Sequence, residues 1–237
     1  MPLKILIVIP CYNEQESLPV LLADLTKHLT LHDHNIDVAV VNDHSKDKTA
    51  MLAATYEVIL LDLPINLGIG GAVQCGLKYA NKNGYDLAVQ MDGDGQHPPG
   101  ELYKLLVCHR RSGADIVIGS RFIEKEGFQS TFTRRLGITY FHWLNRFFTR
   151  KYIYDITSGY RLFSRRAIEL AARHYPDDYP EPESLVMFVR AGLSIQETPV
   201  VMQSRSGGQT SIRSFVSLYY CIKVTIAMLF SSIRKIS

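Results

Sequence analysis

Asp92-Gly93-Asp94-Gly95-Gln96-His97 follows directly on an apolar run, Leu87 to Met91, that stops at two carboxylates separated by one glycine. Such a run reads as a buried strand. Carboxylates at its carboxyl end fall in the crevice where open α/β sheets bind ligands. Two close, hard oxygen donors suit a divalent cation that holds a diphosphate. Asp and Gly are also common turn residues, so the stretch taken alone reads equally well as a polar turn.

Further stretches that could carry chemistry lie where loops leave strands. Pro10, Tyr12 and Glu14 follow an apolar run, and Asp43 follows another. A carboxylate at the Asp43 position could accept hydrogen bonds from a base or ribose, or cap a turn. Gly68, Gly70 and Gly71 open a helix, where a permissive backbone could approach a phosphate. The sixth position from Gly68 is Val73 rather than Gly or Ala, and no strand ends directly against it, which excludes a dinucleotide-binding dehydrogenase. Arg121 lies just past a fifth strand, placed to bind an anion. Asp155 to Arg161 and the polar, glycine-rich segment 203–211 with Arg205 complete the set; the latter reads as a closing loop or as a flexible linker.

The elements that must position these residues alternate. Strands are expected over Lys4–Ile9, Ile36–Val41, Val58–Leu61, Tyr85–Met91 and Ile116–Gly119. Helices are expected over Ser17–Leu29, Lys46–Thr55, Ile69–Asn81 and Pro98–Arg111. Short apolar strands separated by helices argue for βαβ units and a mostly parallel sheet. Helices at 164–173 and 183–191 and an edge strand at 194–201 follow. At 237 residues and 46% hydrophobic content, the chain can bury one large core. Four cysteines without C-x-x-C pairing fit a reducing compartment and exclude a disulfide framework or zinc site.

Charge is divided. Residues 121–237 hold 17 Lys and Arg against 9 Asp and Glu, a balance of +8, so residues 1–120 carry −5 of the net +3. Metal on the acidic side and phosphate or anionic lipid on the basic side follow. No helix-turn-helix, zinc-finger or RNP pattern is present, which sets nucleic acid aside as a partner. Thr131–Tyr154 interleaves aromatic and basic residues at helical spacing, as in a helix at a membrane interface or one buried in an oligomer. Segment 212–233 is apolar apart from Arg213, Lys223 and scattered hydroxyls. Phe215 to Phe230 spans about 24 Å as a helix, short of a hydrocarbon core of about 30 Å. A central Lys223 would cost roughly 2.5–3.5 kcal/mol on insertion. An in-plane amphipathic helix is therefore expected, with a true span within an oligomer as the alternative.

Seven stretches in order resemble the family-two glycosyltransferases of GT-A fold, and within them the dolichyl- or polyprenyl-phosphate sugar synthases. They are Val8–Pro19, Val41–Thr49, Asn66–Ala80, Val89–Pro99, Ala114–Phe122, Asp155–Ile168 and Arg205–Ser211. The resemblance implies a GT-A domain over 1–211, with a nucleotide-sugar and metal half (1–120) and an acceptor half (121–211). The apolar interface helix occupies 212–237. By the same resemblance Pro10, Tyr12, Glu14, Asp43, Gly70, Asp92, Gln96 and Arg205 bind the donor. Asp92 and Asp94 hold Mg²⁺ or Mn²⁺, and Arg121 with Arg134 or Arg135 pairs with the acceptor phosphate. Asp94, Arg121 and Asp155 form the catalytic set. Asp155 matches a position often proposed as base, although a phosphomonoester is mostly ionised at pH 7 and scarcely needs one. Asp155 would then orient Arg161 or the acceptor.

The expected reaction is inverting transfer from a nucleotide sugar, UDP-glucose or UDP-N-acetylglucosamine, to polyprenyl phosphate at the cytoplasmic membrane face. It would serve cell-surface glycan synthesis. Transfer to a lipid-linked sugar hydroxyl is the alternative, and a non-catalytic nucleotide-sugar binder a third reading. A homo-oligomer and a small membrane-protein partner are expected with it. There are departures: Ile69 and Gly93 stand where relatives often carry a basic residue and an aspartate or alanine. Glu181 and Glu183 resemble acids near the donor sugar, or cap a helix.

Overall fold

The computed structural model describes residues 2–29, 35–124, 132–178, 180–203 and 216–233, with the side chains of 132–139, 141 and 216–222 left outside it. Seven strands form one sheet: β1 (Lys4–Cys11), β2 (Asn35–Asn42), β3 (Ile59–Asp62), β4 (Leu87–Gln90), β5 (Ile116–Ser120), β6 (Arg161–Ser164) and β7 (Ile195–Pro199). Their order is β3-β2-β1-β4-β6-β5-β7. Every pairing is parallel except those of β6, which runs against β4 and β5.

That one reversal shapes the site. The parallel strands all finish at one edge, and β6 begins there. Arg161, its first residue, therefore stands opposite Gln90, the last residue of β4. The segment leading into β6 is thus delivered beside the two carboxylates that follow β4.

Side chains alternate across the sheet, as strand geometry requires. Leu6 and Val8 join a core with α3 (Gly68–Lys82), α6 (Arg165–His174) and α7 (Pro180–Arg190). Ile5, Ile7 and Ile9 point the other way, into a core with α1 (Leu18–Leu29) and α4 (Leu102–Ser112). A short α2 (Thr49–Ala53) and a 3-10 turn at Pro99–Glu101 complete the first half. The sheet flanked by helices is the GT-A architecture expected.

Two long helices follow a different logic. α5 (Phe132–Thr149) and α8 (Val216–Ile233) pack on α7 and on each other. Val224 and Met228 are fully buried on α8, while Ile226, Leu229, Phe230 and Ile233 are exposed. On α5 Asn145 and Thr149 face inward, while Tyr140, Trp143 and Phe147 face out, Trp143 at 78% exposure. Lys223 makes an ion pair with Asp178 (2.6 Å), so its charge is directed at the domain. The Tyr140 hydroxyl shares a hydrogen bond with Thr225 (2.7 Å). No helix among the described residues is long and apolar enough to cross a membrane.

Candidate active site

The Asp92–His97 turn is fixed from its own backbone. The Asp92 N–H donates to His97 Nδ1 (2.9 Å) and the Gln96 N–H to Asp94 Oδ1 (3.0 Å). Asp92 and Asp94 stay partly exposed at the sheet edge, while His97 is buried. Gly93 has no room for a side chain: a Cβ there would sit 2.6 Å from Cys11 Sγ and 3.1 Å from the Pro10 carbonyl. The spacing glycine thus lets the turn lie against the end of β1. Burial, with Glu14, Asp92 and Asp94 nearby, pushes the Cys11 thiol well above its ordinary pKa, so Cys11 is a packing residue rather than a nucleophile.

The loops after β1 and β2 are stitched into one wall. The Asn13 N–H donates to Ser45 Oγ (3.0 Å), and the Lys46 N–H returns to Asn13 Oδ1 (2.8 Å). Asn13 holds a φ of 57°, a left-handed geometry that asparagine tolerates. Pro10 is buried at the end of β1, and Glu14 is buried with its Oε2 accepting from Ser17 Oγ (2.6 Å). Tyr12 is 45% exposed, a ring face open at the wall. Asp43 is buried, and its Oδ1 accepts the Leu67 N–H (2.6 Å) just before α3. At least one of its oxygens therefore serves the fold.

Gly70 is also structural in this geometry. Its N–H donates to the Asp177 carbonyl (3.0 Å), and a Cβ would lie 2.1 Å from the Pro176 and Asp177 oxygens. The amide expected to approach a phosphate instead joins α3 to the segment before α7. A glycine at a helix start serves either purpose, and sequence spacing does not separate them.

The segment between β5 and β6 centres on a buried ion pair. Arg121 donates through Nε to Asp155 Oδ2 (2.7 Å) and through Nη2 to Oδ1 (2.8 Å), and its backbone N–H adds a third bond to Oδ2 (3.0 Å). Asp155 is fully buried and Arg121 nearly so. Burial opposes the guanidinium charge, but the bonds to Asp155 outweigh it and raise the Arg121 pKa. Asp155 therefore orients Arg121. Arg161, named with the acceptor as what Asp155 would orient, is fully buried elsewhere and donates to the Ser158 and Ile156 carbonyls and to Ser184 Oγ on α7.

Glu197 on β7 was not singled out in the sequence. Its two oxygens accept the Tyr154 and Asp155 N–H groups (2.7 and 2.8 Å), so it holds the backbone that presents Asp155. A single acid within an edge strand carries no pattern that would have revealed this. Glu181, at the start of α7, has its pKa raised by burial and by Asp92 against the pull of Arg161. Arg205 lies outside the described residues, as do the side chains of Arg134 and Arg135.

Among the described residues no three His, Cys, Asp or Glu side chains converge as a complete metal cage. Asp92 and Asp94 nonetheless fit an ion that arrives with a nucleotide, because Mg²⁺ is commonly held by one or two carboxylates together with substrate phosphates. A sheet edge with hard oxygen donors after β4 and an Arg–Asp pair after β5 can bind a diphosphate and present a second anion to it.

A family model described as glycosyl transferase family 2 matches residues 6–170, from β1 into α6. The chain belongs to that family. As a family-2 glycosyltransferase it is 33% identical over 222 residues to the undecaprenyl-phosphate mannosyltransferase of Micrococcus luteus, covering 89% of this chain and 88% of the relative. The polyprenol monophosphomannose synthase of Mycolicibacterium smegmatis is 32% identical, covering 86% and 79%. Among solved structures, mannosyl-3-phosphoglycerate synthase from Rubrobacter xylanophilus superposes with a TM-score of 0.75 at 16% identity, over 98% of this chain and 77% of that one. Glucosyl-3-phosphoglycerate synthase from Mycobacterium tuberculosis, solved with Mn²⁺ and UDP, gives 0.69 at 20% identity, over 97% and 80%. These two likenesses establish the fold.

Proposed function

We propose that this glycosyltransferase moves a sugar from a nucleotide-sugar donor to a polyprenyl phosphate at a membrane surface. The observation that carries it is the junction of Asp92 and Asp94 with the buried Arg121–Asp155 pair at one sheet edge, beside helices with apolar outer faces. The relatives named for undecaprenyl, polyprenol and dolichyl phosphate support the acceptor class.

The residues divide the work. Tyr12, Glu14 and Asp43 serve the base and ribose, with Asp92, Asp94 and Gln96 at the diphosphate and Arg205 as its cationic partner. Mg²⁺ or Mn²⁺, when bound, supplies the positive charge that stabilises the departing nucleoside diphosphate. Arg121, with Arg134 or Arg135, pairs with the acceptor phosphate. The phosphate oxygen attacks the anomeric carbon directly, with inversion, and needs no proton removed. Asp155, whose carboxylate is committed to Arg121, is then a positioning residue. Relatives are named for mannose, N-acetylglucosamine and glucose, so a mannose donor joins the two UDP-sugars first expected as a candidate.

The exposed Tyr140, Trp143 and Phe147 of α5, with Ile226, Leu229, Phe230 and Ile233 of α8, supply apolar and aromatic surface for shallow insertion. Arg146, Arg150 and Lys151 lie exposed beside them for anionic headgroups. Unpaired cysteines at 11, 75 and 108 fit the cytoplasmic side.

A thermal-shift screen with Mn²⁺ and UDP-, GDP- and dTDP-sugars tests the donor half, since a ligand that binds only the folded state stabilises it by mass action. One nucleotide class is expected to raise Tm in a metal-dependent way and to be lost in Asp94→Ala. Stabilisation by none, or equally without metal, would overturn the reading.

A further inference from the structure

Two features of the Asp92 turn are absorbed neither by donor binding nor by acceptor binding. His97 is 2% exposed and stacks on Tyr160, with ring centroids 4.8 Å apart and planes at 11°. Gly159, next to Tyr160, lies so close that a Cβ would be 3.0 Å from each Asp92 carboxylate oxygen. Residues 97 and 159–160 are distant in sequence, yet both close on one carboxylate.

The hydrogen-bond pattern fixes how the imidazole is presented. Nδ1 accepts the Asp92 N–H (2.9 Å), so the ring proton of the neutral imidazole lies on Nε2. Nε2 faces Asp92 Oδ2 at 3.7 Å, an electrostatic contact rather than a full hydrogen bond. On the other side Gln90 Nε2 approaches Oδ1 (3.4 Å), while Gln90 Oε1 is 3.4 Å from the Tyr175 hydroxyl. Asp92 thus sits between a hydrogen bond on Oδ1, an electrostatic contact on Oδ2 and a glycine floor, with its side chain still partly exposed. The ring stack holds His97 in place, and the Tyr160 hydroxyl reaches the Pro98 carbonyl (3.3 Å), closing the same turn.

We propose that His97 is a positioning residue for the transfer, orienting the Asp92 carboxylate, through its backbone bond and its Nε2–H, toward the divalent cation that accompanies the donor. The proposal rests on the metal–diphosphate reading of Asp92 and Asp94. It gives the stacked His97–Tyr160 pair a job: carrying the geometry of the β6 edge into the metal-binding turn.

The test uses the full chain and Mn²⁺ affinity, read by the loss of the free-ion electron paramagnetic resonance signal, with UDP and GDP in separate titrations. His97→Phe keeps a ring for the stack but removes both nitrogens. Its Mn²⁺ affinity is expected to fall about 10-fold, the usual scale for losing a group that orients a metal ligand. His97→Asn restores an acceptor for the Asp92 N–H but neither the ring stack nor a donor at the Nε2 position, and is expected to recover part of that loss. An unchanged affinity in His97→Phe, or a His97→Asn chain as weak as His97→Phe, overturns the proposal. ¹⁵N resonances of histidine-labelled parent protein give a reading independent of variant folding: the Nε2–H tautomer at His97 is expected, and the Nδ1–H tautomer contradicts it. If the parent itself binds no Mn²⁺ with either nucleotide, the metal–diphosphate reading fails and this one with it. If the parent binds and the variants match it, only the role of His97 falls.

Discussion

Replacing Asp155 by Asn separates a positioning carboxylate from a catalytic base. In the structure the carboxylate receives three bonds from Arg121 and a fourth contact from Thr157 Oγ1 (3.3 Å), and it is fully buried. An amide in its place brings an NH₂ group against a guanidinium or backbone N–H and leaves the Arg121 charge uncompensated. Breaking one side of a buried pair typically costs about 3–5 kcal/mol. For a chain of this size each kcal/mol moves Tm by about 2–4 °C, so a fall of roughly 6–20 °C is expected. Salt should change this little, because buried pairs are poorly screened. The assay pairs thermal unfolding of the unliganded protein with sugar transfer measured well below the lowered Tm. The double variant Arg121→Met, Asp155→Leu is expected to regain much of the lost stability but not the activity. An Asp155→Asn chain with an unchanged Tm, no turnover at neutral pH and recovery in alkali would refute the reasoning and restore Asp155 as a base.

Other expectations follow from the same geometry. Gly93→Ala forces a methyl against Cys11 Sγ, 2.6 Å from the ideal Cβ, and is expected to cost about 1–3 kcal/mol by denaturant unfolding. Combining it with Cys11→Ala should relieve part of that cost, and strict additivity of the two changes would deny the contact. Glu181, its pKa raised by burial, favours the neutral form in the fold, so its contribution is present below the ordinary glutamate pKa and lost as pH rises through the folded value. Glu181→Gln should therefore raise Tm relative to the parent at pH 8, with the difference closing toward pH 4; a gain confined to acid would contradict the sign. Trp143 is the single tryptophan and is 78% exposed. Anionic vesicles should shift its emission to the blue, Phe147→Ser with Phe230→Ser should weaken binding without lowering Tm, and an unmoved spectrum would remove the membrane-surface role of α5.

The strands were legible wherever an apolar run of four or more residues ended at a polar loop, which located β1 to β5 and the carboxylates of 92 and 94. β6 was not, because it offers only Leu162 and Phe163 between Arg161 and Ser164, and it is held as a strand by neighbours on both sides. The pairing of Asp155 was misjudged for a related reason. Arg161 or the acceptor was expected as its partner, whereas the antiparallel entry of β6 turns Arg161 inward and sets Asp155 against Arg121, 34 positions away. Gly70 shows a third limit: a helix-opening glycine is compatible with a phosphate or with a packed carbonyl, and only tertiary structure chooses. α5 and α8 were legible because aromatic and apolar residues at helical spacing have few alternatives, though the Lys223–Asp178 pair was not.

The most direct test is an acceptor comparison. Purified full-length protein with Mn²⁺ and labelled nucleotide sugars is offered undecaprenyl phosphate, undecaprenol or a lipid-linked sugar with a free hydroxyl. Label should enter an acid-labile, charged lipid made only from the phosphate, and Asp94→Ala should abolish it. Transfer to the sugar hydroxyl with none to the phosphate would contradict the proposed reaction and the base-free role given to Asp155.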